Sequence, residues 1–481
     1  MKKIVVFVAL LFTGLFGLQS CDDIDDTDVP VYDFIYKGLN LYYLWQPDVP
    51  ELADNRFSNQ QELNYFLQAY STPEELFRSL LYRPGRSDRF SVIFSDYNVL
   101  ENALQGVTKS NGVEFGLVYT DASETTVVGY VRYILPGTDA ATKNIQRGDI
   151  FYAVNGTPLT ATNYQSLLGA DTYTLNLATV SDGVVTPTGE DVQLTKAQYS
   201  ENPVYTTQVF TEGSHTIGYL MYNGFYSNYD TDLNNAFGQL AAQNINDLVL
   251  DLRYNSGGSV RTATYLGSMI TGQYAGQVFS KQQWNPKIQA YYESNSPESL
   301  VETFATQLTN GAPINSLNLR RIYILTSAST ASASELIINC LRPYIDVVVI
   351  GDMTTGKNVA SITLYDSPDF SRENRETSHR YAMQPIVLKT INKQGYGDYD
   401  TGLRPETLLK ENISNLGTIG DRNEPLLAAA IGQITGMGRR LRAPENEFKQ
   451  LRDSKNINRF GTEMYIETPP PGSINLLKNL Q

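Results

Sequence analysis

Between Val204 and about Gly436 the chain alternates short, almost wholly apolar runs with segments whose apolar residues recur at helical spacing, and this restricts the fold more than any other feature. Residues 217–222, 248–252, 322–325 and 347–350 predict strands, while 233–242, 260–270 and 334–341 predict helices between them. A strand that is apolar along its length has no face to give to water, so such runs belong in a sheet covered on both sides. The βαβ succession therefore implies a largely parallel sheet flanked by helices, with ligands held beyond the carboxyl ends of its strands. A further helix, 426–434, is introduced by Pro425.

Three other regions surround this core in a chain of 481 residues, long enough for two to four domains. Residues 31–106 are helical in pattern: Ile35, Leu39 and Tyr42 recur at i, i+4, i+7, and Thr72-Pro73-Glu74-Glu75 is a capping box with Pro at the first helical position. Residues 107–200 switch to short β-rich runs broken by Gly, Asn and Asp turns, among them Arg147-Gly148-Asp149-Ile150 leading to Val154-Asn155-Gly156. The extension 437–481 mixes Arg439, Arg440, Arg442, Lys449, Arg452, Lys455 and Arg459 with Pro469-Pro470-Pro471-Gly472. A basic run beside an acidic body reads as an electrostatic strap lying over the surface rather than as a nucleic-acid site. The core itself is read as 201–436.

The first residues carry an address rather than a fold. Lys2 and Lys3 precede an apolar run from Ile4 to Gly17 that is too short for a confident membrane span, so 1–21 is read as a secretory signal. The run ends in Leu18-Gln19-Ser20-Cys21, which resembles the lipobox of bacterial lipoproteins, in which the Cys becomes the diacylated first residue. Residues 22–30 then form an acidic, solvated tether. The expectation is a cell-envelope lipoprotein, held on the outer membrane through lipid on Cys21; the alternative is a soluble secreted protein. With Cys21 lipidated, Cys340 is the one remaining thiol and no internal disulfide is possible. Net charge of −14 argues against nucleic acid as a partner, and two His with two Cys cannot supply a conventional zinc site. No metal or other cofactor is expected.

Most enzyme signatures are missing: there is no G-x-S-x-G, H-E-x-x-H or G-x-G-x-x-G. The stretch Gly351 to Asn358 nearly spells a P-loop, but Asn358 stands where a hydroxyl should bind Mg²⁺. The following Val359-Ala360-Ser361-Ile362-Thr363-Leu364 is strand-like, whereas phosphate binding needs a helix there. Ser332, in Thr330-Ala331-Ser332-Ala333-Ser334-Glu335, falls at a helix N-terminus between a strand and an apolar helix. On local spacing alone, Ser332-x-x-Glu335 is a capping box that explains the hydroxyl without catalysis.

The stretch from Thr330 to Lys357 as a whole resembles the catalytic segment of the C-terminal processing, or tail-specific, serine proteases. The resemblance extends to Asp251-Leu252-Arg253-Tyr254-Asn255-Ser256-Gly257-Gly258, which matches that family's D-L-R-x-N-x-G-G, and to the β-rich region, whose Arg147–Gly156 stretch resembles a PDZ domain. It covers roughly 111–434 and implies an α/β core of ClpP/crotonase type, a PDZ-like β domain before it and a small helical N-terminal domain. By this resemblance Ser332 is the nucleophile and Lys357 its general base. Gly257 or Gly258, with Ala333, supplies the oxyanion donors, and Phe115-Gly116-Leu117 forms the apolar-Gly-apolar loop that receives a peptide's terminal carboxylate. Softer matches lie in Tyr42-Tyr43-Leu44-Trp45 and Asp88-Arg89-Phe90-Ser91. The chain departs from the family at Ser361, where many members have a Gln that orients the lysine, so a hydroxyl is expected to take that part.

These residue types suit the chemistry. A serine hydroxyl needs a base, and a lysine can serve when burial keeps its amine neutral. The expected activity is that of a lipid-anchored serine endopeptidase cutting unfolded or C-terminally exposed polypeptides through an acyl-enzyme. The alternatives are a peptide- or ligand-binding member of the same fold with little or no turnover, and, on the strength of 32 Tyr alone, a glycan-binding surface.

Overall fold

The computed structural model describes residues 29–181, 184–437, 448–457, 461 and 464–479. The signal segment, Cys21 and nearly all of the acidic tether lie outside the described residues, as do Arg439, Arg440, Arg442 and Arg459.

The alternating core folds as its patterning predicts. A six-stranded sheet runs in the order Val204–Glu212, His215–Tyr222, Asp247–Asp251, Arg321–Thr326, Asp346–Gly351, Thr407–Leu408. Its first pair is antiparallel and every later pair is parallel. Successive residues point to opposite faces of a strand, and both faces here are covered. Leu220, Leu250, Ile324 and Val349 pack with Leu233, Phe237, Leu336 and Ile337 on one side, while Tyr219, Val249, Leu325 and Ile350 pack with Leu426, Leu427 and Ala430 on the other. The second group of helical residues belongs to Pro425–Ile434, whose N-cap Glu424 accepts from the Leu427 N–H at 2.9 Å.

A second six-stranded sheet, of mixed direction, runs Gly258–Ser259, Met464–Ile466, Val359–Ile362, Ile386–Asn392, Val278–Trp284, Val301–Thr303. The strand Val359–Ile362 directly after Lys357 removes the P-loop reading on structural grounds as well. The β-rich region forms a separate antiparallel sheet in the order Gln450–Asp453, Val113–Tyr119, Val127–Ile134, Ile150–Val154, Thr172–Ser181, Val184–Thr195. Its first strand comes from the C-terminal extension. The N-terminal region holds the helices Pro30–Tyr42, Gln60–Leu67, Pro73–Ser79 and Tyr97–Leu104, with a short strand Val92–Phe94 paired to Ala382–Gln384. Thr72 caps the third helix by accepting from the Glu75 N–H at 3.2 Å.

The β domain is joined to the core by buried charge. Arg147 donates to the Tyr254 hydroxyl at 2.7 Å and to Glu411 at 2.9 Å, and Arg253, fully buried, pairs with Asp251, Glu411 and Glu424. Burial alone would raise the Glu411 carboxyl, but the Arg253 and Arg147 guanidiniums hold it down to about 2.

Candidate active site

Three loops meet at the carboxyl end of the parallel sheet, each continuing one of three adjacent strands. Asp251 is in register with Leu325, and Leu325 with Ile350. The loops leaving these strands carry Asn255 to Gly258, Ser327 to Ser332 and Asp352 to Lys357 respectively. This is where an open parallel sheet places its ligands, because the strand ends splay there and their loops face one another.

Glu335 ties two of the loops together. Its Oε2 accepts from the Ser332 N–H at 2.7 Å and from the Lys357 N–H at 2.8 Å, so one oxygen atom lies in bonding contact with the main chain of both residues. Its Oε1 accepts from the Gly356 N–H at 2.7 Å and from the Thr354 hydroxyl. Glu335 is fully buried, and burial raises its carboxyl against the pull of those four donors. Asn255 ties in the third loop: its carbonyl accepts from the Ala331 N–H at 3.2 Å and the Ser334 hydroxyl at 3.0 Å.

Ser332 precedes the helix Ala333–Leu341 at φ +65° and ψ −118°, a left-handed conformation that costs a non-glycine residue about 1–3 kcal/mol. Its hydroxyl is buried and makes no hydrogen bond among the described residues. Glu335 reaches back to the Ser332 N–H in a capping-box arrangement, in which the serine oxygen is placed toward the Glu335 main chain without completing a hydrogen bond. Leaving a buried hydroxyl unpaired costs about 1–3 kcal/mol, so strain and lost bonding coincide at one residue. As the first residue of the helix, Ala333 has no intrahelical acceptor for its N–H.

Lys357 is 1% exposed, and its Nζ stands 4.8 Å from the centroid of the Phe90 ring. Phe90 is held there from the N-terminal region. Asp88 accepts from the Phe90 and Ser91 N–H groups at 3.1 and 2.9 Å, the Tyr43 hydroxyl donates to Asp88 at 2.7 Å, and Arg89 donates to the Gly356 carbonyl. Gly356 sits at φ +82°, where a Cβ would lie 2.4 Å from the Asp400 carbonyl oxygen, so only glycine fits before the lysine.

The remaining sequence candidates are rearranged. The Gly257 N–H donates to Asn255 Oδ1 at 2.9 Å and is thereby committed to its own turn, which leaves Gly258 and Ala333 as the candidate oxyanion donors. Gly258, at φ +140°, could not carry a Cβ, which would meet the Phe225 carbonyl oxygen at 2.3 Å. The Ser361 hydroxyl donates to Gln384 and, at 3.3 Å, toward the Met464 carbonyl. The Gln384 amide in turn donates to the Thr363 hydroxyl at 2.6 Å, so the Ser361 hydroxyl is engaged with Gln384 rather than taking the part expected of it beside the lysine. Phe115-Gly116-Leu117 does not form a loop. Val113, Phe115 and Leu117 alternate into the β-domain core, and that period of two makes the segment the middle of the strand Val113–Tyr119. Glu335 and Phe90 escaped sequence reading as members of the site. The softly matched Asp88-Arg89-Phe90-Ser91 was the signal for the second, and the Glu335 position in the capping pattern for the first.

Residues 216–371 match the family model of Peptidase family S41, and residues 31–92 match that of the Peptidase S41 N-terminal domain. The core and the N-terminal region are thus similar to peptidase family S41. It is 24% identical over 310 residues to a carboxyl-terminal-processing protease of a Picosynechococcus species, an alignment covering 63% of each chain. It is 27% identical over 345 residues to the chloroplastic carboxyl-terminal-processing peptidase 2 of Arabidopsis thaliana, covering 68% of this chain and 62% of the other. The matches thus span somewhat under two thirds of these curated relatives. Among solved structures, one assigned to the S41 proteases from Bacteroides fragilis is 26% identical, with a TM-score of 0.65, covering 84% of this chain and 98% of that one.

Proposed function

We propose that the chain is a serine endopeptidase in which Ser332 Oγ attacks the scissile carbonyl carbon while Lys357 takes the hydroxyl proton. The carbonyl electron pair moves onto oxygen, stabilised by the N–H groups of Gly258 and Ala333, and the lysine proton passes to the departing amine as the C–N bond breaks. Water then hydrolyses the ester on Ser332 by the same route in reverse. The observation that carries this reading is the shared Glu335 oxygen, which fixes the main chains of nucleophile and base against one another, next to a serine whose main chain is strained and whose buried hydroxyl makes no hydrogen bond.

The substrate proposed is unfolded or C-terminally exposed polypeptide. The antiparallel β domain is read as PDZ-like, with the strand Val113–Tyr119 and the helix Tyr164–Gly169 bounding its peptide groove. The Lys2–Cys21 segment supports a bacterial envelope lipoprotein anchored through Cys21. The reading is tested by incubating purified protein with an unfolded polypeptide: wild type should cleave it and Ser332→Ala should not. Cleavage by Ser332→Ala at the wild-type rate would remove the assigned nucleophile. Peptide binding by wild type without covalent labelling by serine-directed probes would favour the binding-only alternative.

A further inference from the structure

The described parts of the C-terminal extension lie along places a substrate would need, with Lys449 and Arg452 exposed and Asp453 buried. Gln450–Asp453 pairs antiparallel with Val113–Tyr119, Arg452 opposite Leu117 and Asp453 opposite Gly116. The Tyr119 N–H donates to the Lys449 carbonyl at 2.9 Å, and the Phe115 N–H to the Ser454 hydroxyl at 3.1 Å. Leu451 and Ile457 pack on the β-domain core. The chain therefore adds a strand to the exposed edge of the sheet, travelling toward the start of Val113–Tyr119, which is how an extended peptide is taken up by β-augmentation.

From this groove the extension touches the catalytic loops. Asp453 accepts from the Ser329 hydroxyl at 2.5 Å, three residues before Ser332, and pairs with the buried Arg132 at 3.2 Å. Gln450 donates to the same Ser329 hydroxyl at 3.3 Å. Ser454 and Lys455 line one cavity with Glu114, Gly257 and Gly258. Met464–Ile466 then lies between Gly258–Ser259 and Val359–Ile362, parallel to both, and Glu467 accepts from the Ser259 hydroxyl at 2.6 Å.

Resting on the protease reading above, we propose that Phe448 to Ile457 is a built-in substrate mimic: it occupies the β-domain groove and reaches the catalytic loops, and a polypeptide substrate gains access by displacing it. The buried Ser332 hydroxyl, unbonded while the extension is seated, fits this resting state. The side chains name what the groove accepts: an extended segment with a branched apolar residue at the Leu451 position and, two residues on, a carboxylate for Arg132 and Ser329.

The test separates binding from turnover. In full-length protein carrying Ser332→Ala, the double change Asp453→Ala/Ser454→Ala should unseat the extension. A fluorescein-labelled peptide of residues 448–457 should then bind at least about tenfold tighter than to Ser332→Ala alone, because a tethered competitor has been weakened. In the otherwise wild-type chain the same double change should speed hydrolysis of an unfolded protein severalfold. Leu451→Asp, which loosens the extension through its apolar contact, serves as the second variant should the first fail to fold. Unchanged peptide affinity in a folded variant overturns the proposal even where hydrolysis is intact. Peptide affinity that rises while neither chain hydrolyses anything supports the mimic and removes the protease reading instead.

Discussion

At the scale of single residues the site depends on one carboxylate. Glu335 accepts four hydrogen bonds, and through two of them it aligns Ser332 with Lys357. Replacing it with Gln turns half of that acceptor set into a donor facing N–H groups. Glu335→Gln should lower thermal stability by about 1–3 kcal/mol and reduce labelling by serine-directed probes beyond what partial unfolding accounts for; a folded variant that labels at the wild-type rate would show that Glu335 only caps its helix. Ser332→Ala should behave differently. It removes the unpaired hydroxyl without touching the main-chain bonds, so activity should fall by about 10⁴-fold or more while the melting temperature holds or rises.

At the scale of elements, the docking of the C-terminal strand should respond to pH through Glu114. Burial pushes its carboxyl up to about 7, opposed by Lys455 and reinforced by Glu201 and Asp453, while the Ser454 hydroxyl donates to it. The tyrosines Tyr133, Tyr173 and Tyr226 also face it and stay neutral across this range. A carboxyl whose folded value lies above its ordinary 4.5 favours the docked state at low pH, and that contribution is lost as pH rises through 7. Amide exchange in Gln450–Asp453 should therefore quicken between pH 4.5 and 7 by more than the intrinsic rate, and Glu114→Gln should remove the excess. An excess that survives Glu114→Gln would assign the effect elsewhere. The strand itself was hidden from sequence reading, because its partner Gly116 lies more than three hundred residues earlier and Leu451-Arg452-Asp453 is too short to declare a period.

At the scale of the whole molecule, the legible part of the chain was the part whose instructions are local. Apolar runs such as those around Leu250 and Ile324 announced strands buried on both faces, and the sheet follows them almost residue for residue. The family resemblance of the loops after those strands pointed to Ser332 and Lys357 as candidates, and the fold sets their main chains on one Glu335 oxygen. The contacts that join domains were not legible, since Arg147 reads locally as a turn residue and only the fold brings it to Glu411. That joint carries its own prediction. With Glu411 held at about 2 against an ordinary 4.5, its contribution of on the order of 3 kcal/mol is complete above pH 4.5 and disappears as pH falls toward 2. Thermal melts from pH 7 down to 3 should show stability lost below 4.5 in the wild type and a shallower loss in Glu411→Gln; equal slopes would dissociate Glu411 from acid sensitivity. The account as a whole is tested most directly by treating folded wild-type, Ser332→Ala and Lys357→Ala proteins with a fluorophosphonate and locating the adduct by mass spectrometry. One adduct, on Ser332, lost in the first variant and strongly slowed in the second, is the predicted result. Labelling of a different serine, or a Ser332 adduct that forms equally fast without Lys357, would contradict it.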